Sequence, residues 1–120
     1  VLNTINVSEK TLKIVKQGMR QVIENGGSSY YFKDCIVEAA GKTGTSQLKR
    51  TTKGGVTMDC NNGFFISFAP YDDPEIAIAI VAENALTGSQ TSQAAVPVYN
   101  YYFGQKTSFD TAGTVNELIP

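Results

Sequence analysis

The chain has 120 residues, 42% hydrophobic and 18% charged, which is one domain's worth of chain with one modest core. Ten basic residues face eleven acidic ones, a balance without the basic excess that a nucleic-acid binder carries. There is no histidine, which removes Ser-His-Asp and Cys-His catalysis, a His-ligated zinc and a histidine pH switch from this chain, and two cysteines are too few for a four-cysteine metal site. Neither a metal nor a cofactor is expected.

The chain opens on Val1 rather than Met and is expected to be a piece of a longer protein or a processed product. The first element is a helix over residues 8–24. Ser8 suits its N-cap, since its hydroxyl can accept a bond from an orphan amide of the first turn. Val7 and Leu12 stand where a hydrophobic staple would put them. Leu12, Val15, Met19, Val22 and Ile23 recur at helical spacing and predict one buried face, with Lys10, Lys13, Lys16, Gln17 and Arg20 off it. Asn25-Gly26-Gly27 supplies the stop, through a left-handed glycine.

Residues 28–33 form a polar and aromatic connector. Residues 35–45 read as a strand with small residues Ala39, Ala40 and Gly41. Residues 47–62 are polar and glycine-bearing, so they predict a loop or an extended hairpin arm. Residues 63–69 are a strong aromatic strand, and Pro70-Tyr71-Asp72-Asp73-Pro74 is a turn. Residues 75–83 alternate with period two, with Ile76, Ile78 and Ile80 on one side. The small Ala77, Ala79 and Ala82 would let a helix approach closely. A second helix is expected over residues 91–103, with Ala94, Ala95, Val98 and Tyr102 buried and Pro97 in an awkward interior position. The short turn makes the last two strands antiparallel neighbours. The order predicts an α+β fold, a three-stranded antiparallel sheet with two helices packed on it. The apolar third strand keeps a free edge, and an edge of that kind usually has a partner strand.

The segment that carries chemistry is Ala40-Gly41-Lys42-Thr43-Gly44-Thr45-Ser46. It is not a phosphate loop. A Walker A motif needs a glycine where Ile36 stands, and a helix where another strand follows. On an edge strand it could dock an extended peptide as an added strand. Gly44 would admit the ligand backbone, Lys42 would supply positive charge, and Thr43 and Thr45 could donate to a carboxylate. Three common residues also recur by chance, and a solvated lysine beside a turn glycine is the bland reading.

Several further stretches change that balance. They are VSEKTLKIVKQGM at residues 7–19, AGKTGTS at 40–46, FFISFAP at 64–70, PEIAIAIVAEN at 74–84 and AAVP at 94–97. In this order they resemble the C-terminal part of the transpeptidase domain of class B penicillin-binding proteins, members of the penicillin-recognising serine enzymes. The resemblance covers roughly residues 5–103, expected as the structured core, with residues 104–120 as a tail. Phe64 stands where the family usually has tryptophan, and Ser67 where it usually has glycine. The family's nucleophilic Ser-x-x-Lys and its Ser-x-Asn motif precede the Lys-Thr-Gly strand, and neither is present upstream of it here. Ser46-Gln47-Leu48-Lys49 spells Ser-x-x-Lys but continues a strand, where a helical i,i+3 pairing is not expected.

The resemblance implies that the parent is a D,D-transpeptidase cross-linking peptidoglycan stem peptides, acylated by β-lactams, on the extracytoplasmic face of the bacterial cell membrane. Lys42 would act electrostatically. Lys42, Thr43, Gly44 and Thr45 would bind the D-Ala-D-Ala end of the substrate, and the Thr45 amide would join the oxyanion hole. The chain alone would lack the nucleophile and be inactive. Its partner would be the N-terminal half of the domain. A class D-like β-lactamase or β-lactam sensor domain also carries Lys-Thr-Gly. A non-catalytic module binding through an exposed strand edge is the reading outside this class. Elsewhere, Cys35 and Cys60 are expected as free thiols at opposite ends of a hairpin. Asp72, Asp73 and Glu75 are expected as turn residues, Lys49, Arg50 and Lys53 as a solvated loop, and Tyr99, Tyr101 and Tyr102 as packing and surface.

Overall fold

The computed structural model describes residues 4–114, and the backbone alone for residues 107–114. Helix α1 spans Glu9–Glu24, and the Ser8 hydroxyl accepts from the Thr11 amide at 3.1 Å, as the capping pattern predicts. Its C-terminus differs from expectation. Asn25 is the C-cap at φ −130°, and neither following glycine is left-handed. Gly26 is needed for a different reason: a Cβ there would lie 2.7 Å from the Val22 carbonyl oxygen, because the chain folds back against its own last turn. The predicted apolar face is also covered only in part. Ile23 is buried, whereas Leu12 and Val15 are 51% and 52% exposed. Only the C-terminal end of the helix reaches the core, and the earlier members of the stripe stay about half exposed, with Leu12 beside Tyr71 and Asp72 of the turn.

Three antiparallel strands follow, β1 (Ala40–Thr51), β2 (Thr57–Ala69) and β3 (Ile76–Ala82), in the order β1-β2-β3. The first strand is shifted from its expected place. Residues 35–39 lie outside the ladder because their backbone groups are taken elsewhere. The Ile36 amide donates to Asn100 Oδ1 at 2.9 Å, and the Glu38 carbonyl accepts from the Tyr71 amide at 2.8 Å. At the other end β1 continues through Thr51, paired residue for residue with β2 down to Thr57. The polar stretch is therefore a two-stranded arm beyond the end of β3. Its turn at residues 52–56 is closed by the Thr52 amide on the Val56 carbonyl at 2.9 Å, with Gly55 at φ +80° where a side chain would be strained.

Alternation along the strands gives the sheet two different faces. Phe65, Ser67 and Ala69 share one face with Ile76, Ile78 and Ile80. The short helix α2 (Gly88–Ser92) and the longer α3 (Ala95–Thr114) belong to this side, and Phe65, Ala69, Ala95, Val96 and Tyr99 form the core with Ile23, Phe32 and Ala39. The isoleucines, rather than the alanines of β3, face this core, because burying the larger side chains removes more apolar surface from water. Ala77 and Ala79 lie on the opposite face with Lys42, Gly44, Phe64, Ile66 and Val81, and Ile66 and Val81 are more than half exposed.

The second predicted helix is split in two. Beginning α3 at Ala95 puts Pro97 in the first turn, where its missing N–H costs no intrahelical bond. The later start also turns the helix. Ala95, Val96 and Tyr99 are buried, while Ala94, Val98 and Tyr102, expected on the buried side, are exposed. The helix runs on past Phe103 to Thr114. Among the described residues no helix is long and apolar enough to cross a membrane.

Candidate functional site

Lys42, Thr43, Gly44 and Thr45 lie on β1, opposite Ile66, Phe65, Phe64 and Gly63 of β2. β1 is an edge of the sheet, so its other side has no strand partner among the described residues. Alternation puts Lys42 and Gly44 on the open face and Thr43 and Thr45 on the face of the core. The edge is therefore flanked by an ammonium on one side and two hydroxyls on the other. Lys42 is exposed, and its Nζ donates to the Thr43 carbonyl at 2.6 Å. Gly44 has room on its own strand, since a Cβ there would make ordinary contact with Phe64 at 3.4 Å. Gly41, just upstream, does not. A Cβ there would lie 2.6 Å from the Phe65 ring and 2.9 Å from the Ile66 carbonyl oxygen.

Two residues that the sequence reading did not single out hold this strand in place. Arg20 projects from α1 with its side chain only 17% exposed. It donates to the Ala39 carbonyl at 2.9 Å, pairs with Glu24 at 2.8 Å and Glu38 at 3.3 Å, and stacks over the Tyr71 ring. The segment entering β1 is thus clamped to α1. Gly88 acts beyond the motif's other end. Its amide donates to Thr45 Oγ1 at 3.0 Å, and a Cβ at Gly88 would run into the Gly44 carbonyl oxygen. Helical spacing places Arg20 on a polar face, and Thr87-Gly88-Ser89 carries a helix-start signal. Neither pattern says which distant strand the residue touches.

The arm is tied back to the connection after β3. Arg50 pairs with Glu83 at 3.0 Å, Asn61 Nδ2 donates to the Leu86 carbonyl at 3.2 Å, and Asn62 Oδ1 accepts from the Asn84 amide at 3.3 Å. Lys49, Arg50 and Lys53 are therefore not on a plain loop. Lys49 and Arg50 belong to β1 itself, and Lys53 lies in the turn. Ser46 and Lys49 both sit on β1, and a separation of three along a strand puts them on opposite faces, so they do not form a Ser-Lys pair.

Cys35 precedes β1, Cys60 stands opposite Leu48, and both are free thiols. Burial pushes the Cys35 thiol above its ordinary range, partly offset by a hydrogen bond to the Val37 backbone. In the turn, Glu75 is engaged by Lys106 at 2.7 Å, and Lys16 reaches the Asp72 carbonyl at 3.5 Å. Tyr99 is fully buried and donates to Ser67 Oγ at 2.7 Å, while Tyr101 is exposed.

The sequence matches the model of the penicillin binding protein transpeptidase domain over residues 1–115. It is 35% identical over 95 residues to the peptidoglycan D,D-transpeptidase MrdA of Acinetobacter baumannii, covering 73% of this chain and 14% of that protein. With the Haemophilus influenzae protein of the same name it shares 33% over 101 residues, 76% of this chain and 16% of that protein. The chain thus spans about one seventh of the length of these relatives. The fold is similar to that of the penicillin-binding protein PBP2 of Helicobacter pylori, with a TM-score of 0.70 and 24% identity over 85% of this chain and 18% of that one.

Proposed function

The chain belongs to the penicillin-binding protein transpeptidase domain family, and from that premise we propose that it forms one wall of a D,D-transpeptidase cleft. Residues 1–120 are read as the C-terminal portion of that domain. The parent protein cross-links peptidoglycan stem peptides on the extracytoplasmic face of the membrane and is acylated by β-lactams. A serine outside this chain attacks the carbonyl of the penultimate D-Ala, the terminal D-Ala leaves, and the acyl group passes to an amine. Lys42, Thr43, Gly44 and Thr45 line the cleft on this side.

The observation that carries the reading is the outer edge of β1 at these four residues, which has no strand partner among the described residues. A peptide added at that edge is held by main-chain hydrogen bonds. Its terminal carboxylate lies between the Lys42 ammonium on one face and the Thr43 and Thr45 hydroxyls on the other. Thr45 fits this role, because the Gly88 amide occupies an acceptor lone pair and leaves the hydroxyl proton for the ligand. The Thr45 amide serves the oxyanion hole.

The chain by itself is inactive, since Ser46 has no lysine on its own face three residues away. Intact-mass analysis tests this. After incubation with a β-lactam the chain is expected to keep its mass, and the intact parent to gain one adduct at a serine outside these residues. An adduct at Ser46 would overturn the assignment. A parent that takes up no β-lactam would overturn the family role of the cleft.

A further inference from the structure

The edge of β1 does not end at Thr45. It continues for six residues to Thr51, in unbroken register with β2 and with no strand on its outer side among the described residues. Toward its start the strand is closed instead, since Ala40 and Gly41 are buried and the Ala39 carbonyl is taken by Arg20. A peptide whose C-terminal carboxylate sits at Lys42, Thr43 and Thr45 therefore has one open direction. It runs antiparallel to β1, with its upstream residues along Ser46–Thr51.

Along that path Thr43, Thr45, Gln47 and Lys49 share one face, about 6.8 Å apart. Beside the last two is a concavity of about 380 Å³ lined by Gln47, Leu48, Lys49, Asp59 and Asn61. Lys49 is exposed and makes no ion pair among the described residues, although Asp59 stands opposite it. Asp59 is one strand further from the edge, so an approaching carboxylate meets the ammonium first. Arg50, on the other face, is already held by Glu83.

We propose that the arm extends the peptide site, and that Lys49 selects an acidic side group upstream of the C-terminus of the acyl donor. This inference rests on the transpeptidase reading above. With the terminal residue opposite Gly44, one-to-one pairing puts the residue three positions upstream opposite Gln47. An extended lysine at Lys49 reaches that position.

The test uses the intact protein and two acyl donors ending in D-Ala-D-Ala. One is a capped dipeptide, and the other is longer, with a carboxylate three residues before its last. The quantity read is the ratio of kcat/KM for the long donor to that for the short one. Lys49→Gln should lower the ratio by about two- to fivefold, the range of a partly exposed ion pair, and Lys49→Arg should retain it. Replacing the carboxylate of the long donor by its amide should lower the ratio of the unmodified protein by the same factor, a measurement that needs no variant to fold. Equal ratios for acid and amide donors would overturn the proposal while leaving β-lactam acylation intact. Failure of the unmodified protein to be acylated by a β-lactam would overturn the transpeptidase reading instead.

Discussion

The amide of Gly88 and the hydroxyl of Thr45 meet at 3.0 Å, with the start of α2 pressed against the backbone of Gly44. The contact joins the connection after β3 to the strand with the free edge. It also orients a hydroxyl that would otherwise rotate. Thr45→Val removes both the acceptor for Gly88 and the donor proposed for a ligand carboxylate. It should lower the second-order rate of β-lactam acylation of the intact protein by about tenfold or more, whereas Thr45→Ser should stay near the unmodified rate. Time-resolved labelling with a fluorescent penicillin reads this. Unchanged labelling in the valine variant would show that the hydroxyl plays no part.

Arg20 binds two carboxylates and a carbonyl while largely shielded from water. Arg20→Ala strands the Ala39 carbonyl at the entry to β1 and should cost about 1–3 kcal/mol of folding stability. Lysine should restore only part of that, because a single ammonium cannot reproduce the planar fork. Urea unfolding of the chain gives the comparison, and a midpoint within error of the unmodified chain would refute the clamp.

Tyr99 donates to Ser67 in the interior of the sheet–helix packing. Tyr99→Phe leaves the Ser67 hydroxyl without its donor, and Ser67→Ala leaves the phenol without its acceptor. Each should cost about 1–3 kcal/mol, and the double variant should cost clearly less than their sum. A double-mutant cycle in urea reads the coupling, and additive losses would mean that the two groups do not interact.

Burial keeps the Cys35 thiol protonated at pH values where the unfolded chain releases the proton. The folded state then binds more protons than the unfolded one, so unfolding free energy should fall as pH rises from about the ordinary thiol value of 9.0. Tyr99, whose phenol is raised mainly by burial, adds to the same trend from about 10.0 upward. Below pH 8 neither group should contribute a slope. Cys35→Ala should flatten the decline just above pH 9, measured by urea unfolding across the alkaline range. A slope identical in both proteins would exclude the thiol as its source.

Local chemistry was enough to place α1, the aromatic strand β2, the alternating strand β3 and the turn between them. Each rests on interactions within a few residues, namely the Ser8 cap, period-two alternation and paired prolines. The Lys-Thr-Gly motif and its place on a strand were legible for the same reason, as was the mismatch between Ser-x-x-Lys and a strand. The sequence also carried the resemblance to the transpeptidase family, through motifs whose order along the chain survives in it. Contacts between residues far apart in the chain were decided only by the tertiary structure. Pairing with residues 57–62 extends β1 to Thr51. A start at Ala95 turns α3 so that Val96 and Tyr99 are buried. Arg20 meets the entry to β1 at Ala39, and Gly88 meets β1 itself at Thr45, from 19 and 43 residues away. A one-dimensional pattern records which face of an element is apolar, but not which distant group will satisfy a carbonyl or a hydroxyl, because that depends on where the packed elements bring them.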